Sequence, residues 1–173
     1  MTDQHLVESP RQLLFQHCTT NGDGTGTRDA IGDYSTATDF YVAPPAGTHY
    51  HIQRLICHIE DTGPIAVDKF GALTALTNGI LVRVMRGAEV LADVLNNDPI
   101  THNGSFGHTT YDWGLTSFGS GVEVVSAKWD FITTGSRVAL NGNLGDKLVI
   151  TMQDNLTGLV GHQWMVHGTQ YTD

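Results

Sequence analysis

Positive charge, cysteine and long apolar runs are all scarce in this chain of 173 residues, and each scarcity excludes something. Nine Lys and Arg stand against eighteen Asp and Glu, a net charge of −9. The basic residues are scattered rather than striped along one face, so nucleic acid is not an expected partner. No apolar stretch approaches the roughly 20 residues of a membrane helix, and Met1-Thr2-Asp3-Gln4-His5-Leu6 lacks the basic-then-apolar order of a signal peptide. A soluble protein with no membrane partner is therefore expected. Cys18 stands in the N-terminal segment and Cys57 inside an apolar run, a pair that reads as two reduced thiols, with Cys57 a small core residue. Charged residues make up 16% of the chain while Gly, Thr and Asn abound, which gives a polar but weakly charged surface suited to packing against other protein.

Helical periodicity is missing as well. From Tyr50 to Gly168 the chain is a series of short apolar, β-branched and aromatic runs separated by Gly, Asn and Asp. The clearest cover residues 50–59, 80–85, 128–132, 137–140, 147–152 and 162–166, and they predict an all-β sandwich. The length suits one domain, large enough to bury about two-thirds of its unfolded surface without staples. Asp39-Phe40-Tyr41-Val42 reads as the first confident strand, stopped by Pro44-Pro45. In the long run that follows, Tyr50 and Ile52 share one parity and Leu55, Cys57 and Ile59 the other, so a bulge near Gln53-Arg54 is needed for both sets to point inward. Asn78-Gly79 and the stretch 141–146 are turn chemistry, and the latter predicts a hairpin joining residues 137–140 to 147–152. Trp129 and Phe131 alternate with polar neighbours and are expected in the core.

Ahead of the sandwich, Ser9-Pro10-Arg11-Gln12 has the pattern of a helix start, which predicts a short helix over residues 10–17. The consecutive Leu13, Leu14 and Phe15 equally suit an extended arm that buries them against a neighbour. Residues 19–38 are rich in Gly and poor in apolar groups and read as a linker. The expected organisation is an arm and linker over 1–38 and a sandwich over 39–173. Residues 96–121 read as a long loop carrying Tyr111, Trp113 and Phe118, and loops of that length are functional or covered by a partner. Leu13, Leu14, Phe15, Tyr111, Trp113 and Phe118 are the candidate partner-binding residues.

Chemical motifs are weak by comparison. His49 and His51 share one side of a strand, as in cupin metal sites, but Gln53, Arg54, Leu55 and Ile56 stand where an acidic ligand is needed. The run from Asn21 to Asp29 matches the first half of a calcium loop, but Gly32 occupies the place of the closing Glu, and a flexible linker is the better reading. There is no Gly-x-Ser-x-Gly elbow, and Cys57 at a strand centre is expected to be inert. No catalytic, metal or cofactor-binding residue is assigned, and the chain is not expected to be an enzyme.

Several segments in order carry a family likeness: Gly22-Asp23-Gly24-Thr25-Gly26, Phe40-Tyr41-Val42-Ala43-Pro44-Pro45-Ala46-Gly47, Ile59-Glu60-Asp61-Thr62-Gly63, Leu76-Thr77-Asn78-Gly79-Ile80, and Asp154-Asn155-Leu156-Thr157-Gly158-Leu159 before His162 and a final strand. With these the chain resembles the capsid decoration or cement proteins of tailed bacteriophages. The resemblance implies a jelly-roll β-sandwich with an extended N-terminal arm. It also implies binding to the major capsid protein on the outside of the virion shell, self-association as a homotrimer, and no cofactor. Similar jelly rolls occur in phage tail, collar and fibre proteins, which makes a phage tail or collar protein or a receptor (carbohydrate)-binding module the alternative.

Overall fold

The computed structural model describes residues 11–62, 80–98, 105–106, 109–118, 122–131, 137–153 and 155–173, with the backbone alone for 80, 95–98, 105–106, 109–118, 122–125 and 127. Its strands are β1 (Gln12–His17), β2 (Thr38–Val42), β3 (Thr48–Asp61), β4 (Ile80–Arg86), β5 (Glu89–Asp98), β6 (Ser105–Phe106), β7 (Thr109–Phe118), β8 (Val122–Asp130), β9 (Val138–Asn141), β10 (Asp146–Met152) and β11 (Gly161–Thr172). They form two antiparallel sheets. The larger runs β1-β11-β3-β8-β7-β6, with β9 also on β3, and the smaller runs β2-β10-β4-β5. The protein is an all-β sandwich, as the runs of residues predict.

The apolar parity of each strand decides what lies between the sheets. Leu14, Tyr50, Ile52, Leu55, Cys57, Ile59, Trp129, Trp164 and Val166 come from the larger sheet, and Phe40, Val42, Val82, Val84, Leu148, Ile150 and Met152 from the smaller. Trp129 and Phe131 are both buried, and Trp129 stacks on Trp164 with centroids 5.3 Å apart. The expected bulge is present: β11 pairs His167 with Arg54 and then Gly168 with Ile52, so Gln53 is the extra residue. Burial changes phase at that point, with Ile52 and Leu55 both inside. A Cβ on Gly168 would collide with the His51 carbonyl, so a glycine is required where β11 passes the bulge.

Four expectations are corrected. Residues 12–17 form a strand and not a helix, because Leu14 pairs with Gly168 and Phe15 with His167 along β11. The tertiary ladder overrides a marginal local signal. Residues 19–38 are not a free linker over their length: Thr19 and Tyr41 exchange backbone hydrogen bonds at 3.0 and 2.9 Å, and Ala30 N donates to His162 O at 2.8 Å. The stretch 141–146 does not close a hairpin. A 3₁₀ turn at Gly142–Leu144 carries the chain from β9, on β3 of the larger sheet, to β10 in the smaller. Residues 96–121 are not one loop, since β7 within them pairs along β8. The Asn78-Gly79 turn lies outside the described residues.

Candidate partner-binding surface

Strand alternation resolves the three consecutive apolar residues of β1. Leu14 points into the core at 3% exposure, whereas Leu13 and Phe15 point outward at 72% and 62%. Burying such side chains in a partner would be worth on the order of 1.5–3 kcal/mol each, which makes this exposed pair on an edge strand the candidate contact. The register continues this outward face inward across the sheet. Phe15, His167, Arg54 and Asp130 form one row, and His17, Met165, Ile56 and Lys128 the next. The His167 ring lies edge-on to Phe15 at 4.8 Å, with its Nε2 3.3 Å from Met165 Sδ. Arg54 Nε donates to Asp130 Oδ2 at 3.0 Å. Burial, and to a lesser degree the Arg54 charge, push the His167 imidazole below its ordinary pKa, so it is neutral at pH 7 and extends the weakly charged strip.

Tyr111, Trp113 and Phe118 stand on β7, paired with Trp129, Ala127 and Val122 of β8. Their side chains lie outside the described residues. The structure therefore brings Leu13 and Phe15 to one surface and removes Leu14 from it. Met165, His167 and Ile56 were missed in the sequence. The signal was their alternation with Trp164, Val166, Leu55 and Cys57, which marks a second face on β11 and β3 once the first is assigned to the core.

The chemically suggestive groups have structural partners. His49 Nε2 lies 2.7 Å from Asp173 Oδ1 and its ring stacks on Tyr171, while His51 meets Tyr171 edge-on. Burial, then the Arg137, Arg11 and His49 charges, lower the His51 pKa. Among the described residues no group of three His, Cys, Asp or Glu is placed to hold a metal ion. In the calcium-like segment, Asp23 Oδ1 accepts from Thr25 N and Oγ1 and Asn21 Oδ1 from Thr19 Oγ1 and Gly26 N, so these oxygens close their own loop. This corrects the flexible-linker reading of the segment.

Two further pairs have the elements of a nucleophile. His58 Nδ1 is 2.9 Å from Ser126 Oγ, but Ser126 sits on β8 between β3 and β7, where ladder bonds on both sides engage the local backbone. A strand centre of that kind offers no pair of N–H groups for an oxyanion. Cys57 Sγ is 3.4 Å from His162 Nε2 in the core. Burial drives the Cys57 thiol pKa well upward, with the Cys18 charge adding to it, and lowers that of His162 to about 4. The pair is thiol and neutral imidazole, an inert packing contact. Cys18 N donates to Trp164 O and Cys57 pairs with Trp164 from the other side, so the two cysteines are two strand spacings apart, about 10 Å. That is beyond disulfide reach, and both thiols are free.

The fold and this surface define an all-β sandwich with an apolar patch at the edge of its larger sheet. Comparison with protein-family models, curated proteins and solved structures finds no match to this chain.

Proposed function

We propose that this protein is a structural component of a tailed-phage virion, a decoration protein that binds the outside of the major capsid protein shell and stabilises it. The observation that carries this reading is the exposed pair Leu13 and Phe15 on the outward face of the larger sheet, beside a neutral His167. Strand order supports the jelly-roll form of the sandwich. The runs β1-β11-β3-β8 and β2-β10-β4-β5, with β1, β2, β3 and β4 falling alternately in the two sheets, suit two interleaved Greek keys. On this reading the outward face meets the shell and many copies act together. Weak single contacts suffice because a lattice presents its sites at high effective concentration. The protein performs no chemistry in this role, and its net charge of −9 suits a position away from packaged DNA.

Particles lacking the protein should assemble yet rupture at lower temperature or milder osmotic shock than complete ones. Adding purified protein should restore resistance, and the Leu13→Lys/Phe15→Lys variant should not. Unchanged particle stability without the protein would remove the stabilising role.

A further inference from the structure

We infer that β1 is also a self-association edge, pairing antiparallel with β1 of a second copy of this chain about a twofold axis. The inference goes beyond the shell reading, does not depend on it, and sets a twofold contact in place of the threefold self-association that the family resemblance implies. Three observations carry it.

The first is an edge that carries no further strand among the described residues. β1 is the terminal strand of the larger sheet, and among the described residues no strand pairs with its other side. The adjoining loop takes only the Gln16 side chain, whose Nε2 donates to Gly22 O at 3.1 Å, and none of its backbone bonds goes to β1. Natural edges are blunted by Lys, Pro, bulges, inward-pointing charges or a covering loop; Gln12-Leu13-Leu14-Phe15-Gln16-His17 has none of the first four, and the loop reaches it at Gln16.

The second is self-complementarity. The pattern Gln12-Leu13-Leu14-Phe15-Gln16 reads nearly the same from either end. With Leu14 of each copy at the axis, Leu13 faces Phe15 of the partner subunit and Gln12 faces Gln16 of the partner subunit. Apolar thus meets apolar, the isologous arrangement of a twofold dimer, while the Gln12 and Gln16 amides keep the bonds they make within their own chain, to Gln170, Gly22 O and Tyr50 OH.

The third is charge. Two copies of a chain at −9 repel, and residues 11–17 contain Arg11 and His17 and no acid, so the paired strands add no carboxylate to that repulsion. Pairing there leaves the outward faces free and sets the two Leu13 and Phe15 pairs side by side as one larger patch. A five-pair ladder is a small interface, so the dimer is weak and concentration-dependent.

Sedimentation velocity of the full chain, without shells, over a range of concentrations tests this directly. The native chain should shift from monomer to dimer. Leu13→Lys/Phe15→Lys should stay monomeric, because the register sets Lys against Lys across the axis. Leu13→Lys/Phe15→Glu sets opposite charges face to face and should dimerise at least about tenfold more tightly than the double-Lys chain. Hydrogen exchange on the native chain supplies a readout independent of the variants: amides within 12–16 should gain protection as concentration rises. A monomer at all concentrations, a trimer, a dimer without that protection, or two folded variants of equal weakness would each overturn the inference.

Discussion

Trp129 and Phe131 show how much rests on single side chains. Each is almost fully buried, and Trp129 lies against Trp164 at an interplanar angle of 21°. Replacing either with Ala leaves a large void between the sheets and should lower stability by about 3–5 kcal/mol in denaturant melts. A loss under about 1 kcal/mol would put that side chain on the surface. His162 gives the molecule a pH dependence. Its folded pKa is about 4, lowered from 6.5 by burial and only partly offset by the Ala30 backbone and the Asp29 charge. Below pH 6.5 the unfolded chain therefore binds a proton that the folded chain refuses, and stability falls as pH drops from about 6.5 towards 4. From pH 7 to pH 5 this group alone should remove about 2 kcal/mol, and lowered values at His51 and His167 act in the same direction. The variant His162→Gln should show a flatter profile over that interval in parallel melts, and an unchanged slope would contradict the assignment.

Among the elements, β3 was the most legible in the sequence, because its change of apolar parity between Ile52 and Leu55 has only one geometric solution. The turn after Asn141 was not, since Asn, Gly and Asp have the same turn chemistry whether the chain doubles back in one sheet or steps to the other. What distinguishes the cases is distant. Asp146 is buried and accepts from Arg86 Nε at 2.8 Å, Arg86 Nη2 at 3.2 Å and Asn141 N at 3.1 Å, which fixes the corner between β9 and β10. Burial works to raise the Asp146 pKa, but the Arg86 guanidinium and the Asn141 N–H outweigh it and hold the carboxyl below its usual value. Its contribution is present above the unfolded value near 3.8 and is lost as pH falls through the lower folded one. Asp146→Asn keeps the shape and removes the charge, and should destabilise by about 2 kcal/mol at pH 7. The same melt at pH 3 should show a smaller difference between variant and native chain. β1 was legible only as an alternative, because strand alternation separates Leu14 from Leu13 and Phe15 only once β11 is known to lie alongside. β7 was obscured by its own Gly, Ser and Thr, which are turn residues in isolation and ladder residues between partners.

At the scale of the whole molecule, the sandwich combines a core packed between two sheets with an exposed apolar pair, Leu13 and Phe15, on the edge strand of the larger one. The candidate patch was half legible: Leu13 and Phe15 were flagged as partner-binding, while Met165, His167 and Ile56 join them only through pairing across three strands. In the proposed shell role, copies of the protein act collectively on a regular lattice. The most direct test of the proposed shell role is the binding isotherm of purified protein on tailed-phage shells that lack it, read as copies bound per particle. Saturation at a fixed number set by the shell lattice, weakened by Leu13→Lys/Phe15→Lys, is the predicted result. Binding at a single vertex, or to host glycans and not to shells, would contradict it.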